Sequence, residues 1–383
     1  MARLVTVMPA NTDEKRVLVA LSGGVDSSAC VYLLQKQGYT VEAAVLDLHP
    51  AASKTVEAAK ENAAKLDVPL HIISRHDEFK AQVIIPFCEE YRAGRTPNPC
   101  IMCNPAIKFK LICDTADSLN IKYIATGHYA GIVPIEDNGR TRFLLHQAQN
   151  LQRDQSYMLY RLGQDVLSRL LLPLQALSKS EVRQIAESAG LPAAKAPDSQ
   201  EICFIPNNNY AGYIEALTGK VPCGDFISPD GTICGRHSGI LHYTVGQRKH
   251  LGIALGRPVF IKKIDAVQNR IYLADGGDEY AEAAKLCSCF LQAHPLMDSY
   301  NCDSTICDGH STFKDSSAGI SCKVKIRSVA QPAAALVKIT QGDKAQAPAA
   351  SVVFEEAQRA PAPGQSMVWY TNDGFVLGGG IIE

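Results

Sequence analysis

The pattern of apolar and polar positions divides this chain into two regimes. Up to about Phe204, compact apolar runs alternate with stretches of helical period. Residues 16–21 (RVLVAL) read as a strand, 27–37 as a helix ended by Gly38, and 40–48 as a second strand. A helix over 54–66, a strand over 69–74, helices over 77–91 and 105–119, and a strand over 122–126 (KYIAT) follow. Alternating strands and helices predict a parallel sheet covered by helices on both faces. Beyond Phe204 the runs shorten, and Gly and Pro separate them, as at 239–245, 258–264, 270–274, 321–329, 335–340, 351–354 and 366–370. That rhythm predicts one or two small β-rich domains. The expected division is an α/β domain over 1–204, a central β-rich domain over 205–282 and a third domain over 283–383.

Composition narrows the class without naming it. A chain of 383 residues exceeds what one core usually holds, which agrees with two or three domains. Hydrophobic residues at 46% and charged residues at 20% are ordinary for a soluble globular protein. No apolar run is long enough to cross a bilayer, and residues 1–15 lack a basic start followed by an apolar stretch. The expectation is a cytoplasmic protein with no membrane partner. In a reducing compartment the 13 cysteines are not a disulfide scaffold, and most are expected to pack as small hydrophobes.

Net charge is −1, so any nucleic-acid surface has to be local. Residues 91–113 contain no acid but carry Arg92, Arg95, Lys108 and Lys110. Residues 231–264 are also free of acid and carry Arg236, Arg248, Lys249, Arg257, Lys262 and Lys263 with three histidines. Such segments are either solvated faces or surfaces for phosphates.

Three motifs carry chemistry. The first, Leu21-Ser22-Gly23-Gly24-Val25-Asp26-Ser27-Ser28, follows a strand and opens a helix. Its glycines let the backbone approach a ligand, and free N–H groups at the helix start face an anion. Asp26 is a candidate partner for phosphate-bound Mg²⁺. No Gly-Lys-Ser/Thr closes the loop, so it is not a Walker loop. It resembles the SGGxDS signature of the PP-loop ATP pyrophosphatases, which cleave ATP between the α and β phosphates. The second motif is Gly94-Arg95-Thr96-Pro97-Asn98-Pro99-Cys100-Ile101-Met102-Cys103-Asn104-Pro105. With Asn104 as an N-cap and Pro105 at the first helical position, Cys103 is expected just before a helix N-terminus. The dipole there, with Arg95 and Lys108 near in sequence, favours a thiolate. The third is Asp198-Ser199-Gln200-Glu201-Ile202-Cys203-Phe204-Ile205. A Cys-x-x-Cys alone leaves redox, metal and structural roles open.

Taken together, SGGVDSS, GRTPNPCIMCN, ATGHYA, RDQSYML, DSQEICFI, YTVGQRKHLGI and PGQSMVWY with LGGGIIE closely resemble the tRNA-specific 2-thiouridylases over nearly the whole chain. The resemblance implies a PP-loop domain, a small central domain that contacts tRNA, and a C-terminal β-barrel. It implies ATP contacts at Ala20, Leu21, Ser22, Gly23, Gly24, Val25, Asp26, Ser27, Leu46 and Gly127. It implies tRNA contacts at Asn98, Pro99, Cys100, His128, Arg153, Asp154, Gln155, Arg327, Ser328 and Gln365. Cys103 matches the family nucleophile and Cys203 the cysteine that carries sulfur as a persulfide. Implied partners are tRNA, through the wobble uridine of its anticodon loop, and a sulfur-donor protein; the implied cofactors are ATP and Mg²⁺.

Several family members carry Asp where this chain has Cys100. Three thiols at Cys100, Cys103 and Cys203 therefore raise an alternative, a [4Fe–4S] cluster that binds the incoming sulfur. Two rival readings are another PP-loop ligase, which would need neither Cys103 nor Cys203, and a tRNA-binding protein that holds ATP only as a structural ligand.

Overall fold

The computed structural model describes residues 3–4, 15–196, 202–300, 319–340 and 347–383. Among these, no helix is long and apolar enough to cross a membrane.

Val17, Leu18 and Val19 are all fully buried in strand β1 (Arg16–Ala20), which explains why the strand shows no polar face. Alternate residues feed two cores. Leu18, Ala44 and Ile124 belong to one, with Phe87 and Ile107; Val17, Val19, Ala43, Val45 and Ala125 belong to the other, with Val31, Ala59 and Val182. Helices thus cover both faces. The strands are β1, β2 (Thr40–Asp47), β3 (Leu70–Ser74), β4 (Tyr123–Ala125) and the short Leu170–Leu171. They pair in the order β3-β2-β1-β4 with Leu170–Leu171 outermost, and every pairing is parallel. The chain leaves β1 toward β2 and returns to β4 on its other side. That reversal opens a crevice at the strands' C-terminal ends, where open α/β sheets bind ligands.

The helix expected over 105–119 begins six residues earlier. It runs as Pro99–Cys103, a π turn over Asn104–Phe109, and Lys110–Ser118. Asn98 is its cap, accepting from the Cys100 N–H at 3.2 Å, and Pro99 takes the first helical position. Pro105 is therefore inside the helix. It has no N–H to give and its ring crowds the preceding turn, and the wide turn absorbs both defects. Asn104 caps nothing: it is 1% exposed and donates to the Met158 carbonyl at 2.8 Å.

A hairpin that the sequence reading passed over lies beyond β4: Gly131–Asp137 pairs with Arg140–His146. Asn138 and Gly139 turn it with φ of 50° and 75°, the signature of a two-residue hairpin turn. Residues 239–245, expected as a strand, contain instead a tight turn over Ile240–His242. Gly239 at φ 125° breaks the extension, and Ile240 and Leu241 are both buried in succession rather than alternating.

The central unit is a four-stranded sheet in the order Ile233–His237, Gly224–Ile227, Arg270–Asp275, Val259–Asp265. The last unit is a closed six-stranded barrel, filled by Trp369, Met367, Val324, Val337 and Val352. Both hold the segment that precedes the paired cysteines. Gln365 donates to the Thr96 carbonyl at 2.6 Å and the Thr96 N–H donates to the Pro363 carbonyl at 2.8 Å. Arg92 donates to the Thr218 hydroxyl at 3.1 Å. Tyr157, fully buried, donates to the Ser366 carbonyl at 2.6 Å.

Candidate active site

The glycine turn joins β1 to the helix Val25–Lys36. Gly23 turns at φ 76°, and a Cβ there would stand 2.6 Å from the Ala58 Cβ, so only glycine fits. Gly24 is the helix N-cap and offers no side-chain acceptor, which leaves the first-turn amides free of a cap. Ser27 shapes the loop from within: its hydroxyl donates to the Gly24 carbonyl at 3.1 Å and accepts from the Ser22 N–H at 3.2 Å. The Ser28 hydroxyl is fully buried and has no hydrogen-bond partner among the described residues. Gly127, just after β4, seals the turn; its Cα side faces the Asp26 carbonyl carbon and the Ser27 nitrogen closely enough that a Cβ would lie 2.8 and 2.9 Å from them. Ala20 and Leu46 line the adjoining sheet edge, both partly buried against the core.

Asp26 is already engaged. Lys179 bridges both carboxylate oxygens at 2.7 Å, and the Tyr129 hydroxyl donates to one of them at 2.7 Å. A magnesium ion joining Asp26 would have to displace that ammonium. Lys179 brings a positive charge to an anion-binding turn, a feature the motif alone did not indicate. It opens the helix Lys179–Ser188, held by a Ser178–Glu181 capping box. The sequence Ser178-Lys179-Ser180-Glu181 carried that cap signal but not the contact.

The sulfur candidates converge from distant parts of the chain. Cys103 is 3% exposed, Cys100 partly exposed and Cys203 exposed; all eleven described cysteines are free thiols. Cys103, Cys100 and Cys203 lie near enough to one another and to Lys108 for their charges to interact. Burial pushes the Cys103 thiol up to about 12, against the opposing pull of Lys108. This corrects the expectation of a thiolate at a helix start: Cys103 ends a helical turn that continues, and desolvation outweighs the dipole. The thiol of Cys203 is raised as well, by the protein crowded around its sulfur, although the residue as a whole is exposed. Among the described residues, no three His, Cys, Asp or Glu side chains gather so as to hold a metal ion. Asp198, Ser199, Gln200 and Glu201 of the third motif lie outside the described residues.

His128 connects the two halves of the site. It follows Gly127, its Nδ1 meets the Thr126 hydroxyl at 2.8 Å, and its ring stacks on Phe109 at 6.1 Å between centroids. Burial, with Lys108 adding to it, lowers the His128 imidazole from 6.5 to about 4. Below pH 6.5 the unfolded chain takes up a proton that the native protein refuses, so stability falls as pH drops from 6.5 toward 4. The expected NMR result is a His128 ring signal that stays flat from pH 8 to roughly 5, while a solvated histidine titrates near 6.5. A His128 midpoint above 6 would contradict the burial.

The remaining expected contacts divide by environment. Asp154 folds its own loop, accepting from the Ala148 and Ser156 N–H groups at 3.1 Å and from the Ser156 hydroxyl at 2.9 Å. Gln155 accepts from the Tyr129 N–H at 3.0 Å, which ties that loop to the crevice. Asn98 and Pro99 start the cysteine helix, and Gln365 braces Thr96. Arg153 and Arg327 are exposed, and Ser328 is partly exposed. In the central unit Arg236, Arg248, Lys249, Arg257, Lys262 and Lys263 are exposed, and Arg248, His250 and Arg257 line a cleft of about 290 Å³.

Fold and site define an enzyme of the HUP class, a doubly wound nucleotide-binding domain that carries two β units. A family model described as "tRNA methyl transferase HUP domain" matches residues 15–207. Models described as "tRNA methyl transferase PRC-barrel domain" and "Aminomethyltransferase beta-barrel domain" match 213–275 and 306–382. The tRNA-specific 2-thiouridylase MnmA of Caldicellulosiruptor saccharolyticus is 39% identical over 97% of this chain and 99% of that protein. The protein of the same name from Lachnoclostridium phytofermentans is 45% identical over 70% of this chain and 78% of its own length. The counterpart from Clostridium perfringens is 38% identical over 97% of this chain and 99% of that protein. The chain belongs to the tRNA-specific 2-thiouridylase family.

Proposed function

We propose that this enzyme replaces the C2 oxygen of the wobble uridine of tRNA with sulfur, at the expense of ATP. One observation carries the reading: neighbouring residues join the nucleotide turn to the helix of Cys103. Gly127 abuts Asp26 and Ser27, His128 follows it, and the His128 ring stacks on Phe109, six residues after Cys103 on the same helical run. The family models are described by methyl transfer, but the relatives that match 97% of this chain are thiouridylases. Methyl transfer would need neither the pyrophosphatase-type turn nor two thiols.

The reaction runs in two stages. The uridine O2 attacks the α-phosphorus of ATP, pyrophosphate leaves, and the uracil oxygen becomes part of a good leaving group. The glycine-turn amides and Lys179 face the charge on the phosphates. Magnesium would supply further charge neutralisation there, with Asp26 as its protein ligand once Lys179 is displaced. Sulfur then arrives on Cys203 as a persulfide, from a sulfur-donor protein; the exposure of Cys203 suits delivery by a partner. The outer sulfur bonds to C2, AMP departs, and the Cys103 thiolate takes the inner sulfur to give a Cys103–Cys203 disulfide. An external dithiol returns both thiols by exchange. The anticodon loop is single-stranded, so its uridine can be turned out into the crevice. Arg153, Arg327 and the exposed basic residues of the central sheet offer a surface to the phosphates.

Mass spectrometry of nucleosides from unmodified tRNA decides the matter. Incubation with the enzyme, Mg-ATP and a cysteine desulfurase supplied with cysteine is expected to yield 2-thiouridine with stoichiometric AMP. AMP without a thiolated nucleoside would sink the reading, as would thiolation without ATP.

A further inference from the structure

The helical turn that carries Cys100 and Cys103 is held from two sides by one short stretch of the barrel, residues 363–366. Ahead of the turn, the Gln365 amide donates to the Thr96 carbonyl at 2.6 Å, and the Thr96 N–H donates to the Pro363 carbonyl at 2.8 Å. The approach is close: a Cβ on Gly364 would stand 2.9 Å from the Thr96 nitrogen and 3.0 Å from the Arg95 Cβ. Beside the turn, the Ser366 carbonyl accepts from the buried Tyr157 hydroxyl at 2.6 Å. Tyr157 precedes Met158, whose carbonyl accepts from the Asn104 amide at 2.8 Å and whose sulfur accepts from the Asn98 amide at 3.6 Å. Asn98 and Asn104 bracket Pro99–Cys103.

The holding stretch is itself fixed. The Gly364 N–H donates to the Ile382 carbonyl at 2.9 Å, and the Ile382 N–H donates to the Gln365 carbonyl at 2.8 Å. Ile382 ends the last barrel strand, so the place of Gln365 is set by barrel closure. The central sheet closes a third side: a Cβ on Gly94 would stand 2.9 Å from the Ile264 Cγ2 and 3.1 Å from its carbonyl oxygen. Between Thr96 and Cys100 lie only Pro97, Asn98 and Pro99. Each proline fixes φ, and Asn98 accepts from the Cys100 N–H at 3.2 Å, so a displacement of Thr96 passes to the helix start with little slack.

We propose that Gln365 is a positioning residue of the sulfur step: by holding Thr96 it sets where the cysteine helix begins, and with it the reach of Cys103. The barrel then aims the thiol chemistry in addition to offering a surface to tRNA. The inference rests on the thiolation reading for the step it names; the hold on Thr96 can be tested without tRNA or ATP. A contact between Gln365 and tRNA alone would act through affinity, and it would slow pyrophosphate release and sulfur transfer together, since both use the same bound tRNA. A positioning role acts on sulfur transfer and persists when tRNA saturates the enzyme.

The test uses full-length wild-type, Gln365→Met and Gln365→Lys proteins. Methionine keeps the length of the side chain and loses the donor, whereas lysine keeps an N–H donor. Without tRNA, hydrogen exchange read by peptide mass spectrometry is expected to run roughly fivefold faster around Thr96 in Gln365→Met, the equivalent of one hydrogen bond. Gln365→Lys is expected to return it close to the wild-type rate. In a single turnover with saturating tRNA, Mg-ATP and a cysteine desulfurase supplied with cysteine, Gln365→Met is expected to release pyrophosphate within about twofold of the wild-type rate and to form 2-thiouridine about tenfold more slowly. Gln365→Lys is expected to recover most of that loss. Unchanged exchange around Thr96 in Gln365→Met would overturn the proposal. A thiolation deficit that vanishes at saturating tRNA would also overturn it, because Gln365 would then be a tRNA contact only, and so would equal slowing of both stages. Trp369, the chain's one tryptophan, is buried in the barrel, and its emission reports whether the barrel is intact. If Gln365→Met shifts that emission, Gln365→Glu, which also lacks the donor, takes its place with the same outcomes. Absence of 2-thiouridine from the wild type would refute the reaction and the step assigned to Gln365, while the exchange result would still decide the hold on Thr96.

Discussion

A Cys203→Ser enzyme is expected to release pyrophosphate with tRNA present and yet form no 2-thiouridine, a loss on the order of 10³-fold or more. Serine cannot carry a sulfane sulfur, whereas attack of the uridine oxygen on ATP involves no thiol. Cys203 is exposed, so the substitution should change stability by no more than about 0.5 kcal/mol. Cys103→Ser should abolish thiolation equally, but at a structural cost. Cys103 is 3% exposed, and a hydroxyl placed there costs roughly 1–3 kcal/mol unless it finds a partner. The pair is thus best compared by nucleoside mass spectrometry and pyrophosphate release, with a urea titration alongside. The two-thiol mechanism fails if either variant retains more than a few per cent of thiolation at saturating ATP.

Gly127→Ala should have the second largest effect, through the nucleotide. The added Cβ would stand 2.8 Å from the Asp26 carbonyl carbon, 2.9 Å from the Ser27 nitrogen and 3.1 Å from the Asp26 Cβ. Two of these are backbone atoms of the phosphate turn, which cannot swing aside as a side chain could. Either β4 or the turn must move, at about 1–3 kcal/mol. Displacement of the turn misplaces the amides that meet the phosphates, and an error of this size costs about 10²-fold in rate. The expected result is a raised KM for ATP and a similar loss in kcat for pyrophosphate release. Alkylation of Cys203 should not change, since the thiols lie on the other side of His128. Wild-type affinity for ATP in Gly127→Ala would show that β4 does not brace the turn.

Some of this protein could be read directly from its chain. The glycine turn is one contiguous stretch whose chemistry, strand before it and helix after it all lie within a few residues. Local rules suffice there, and the structure places Ser22, Gly23, Gly24 and Ser27 as that motif implies. The strands of the first domain were legible for a similar reason: a run buried on both faces, as in Val17-Leu18-Val19, has no other environment to satisfy it. The hairpin at Asn138-Gly139 is absent from the reading of the chain, because its flanking strands are only partly buried and their alternation is correspondingly weak.

Other features needed the tertiary structure. Local capping preferences put a helix start at Asn104-Pro105, but burial of Asn104 against Met158 favoured a helix that runs through the proline on a π turn. Lys179 reaches Asp26 across 153 residues, and no periodicity anticipates a contact of that span. The ionisation of Cys103 was misjudged because sequence shows which charges are near along the chain but not how much protein surrounds the sulfur. In sum, the chain by itself determined which groups are present, namely a phosphate turn, two separated thiols and a parallel sheet to carry them. Only the fold decided which charge meets which sulfur and which of them is wet, because desolvation and Coulomb interaction depend on distances in space, and those are fixed by packing.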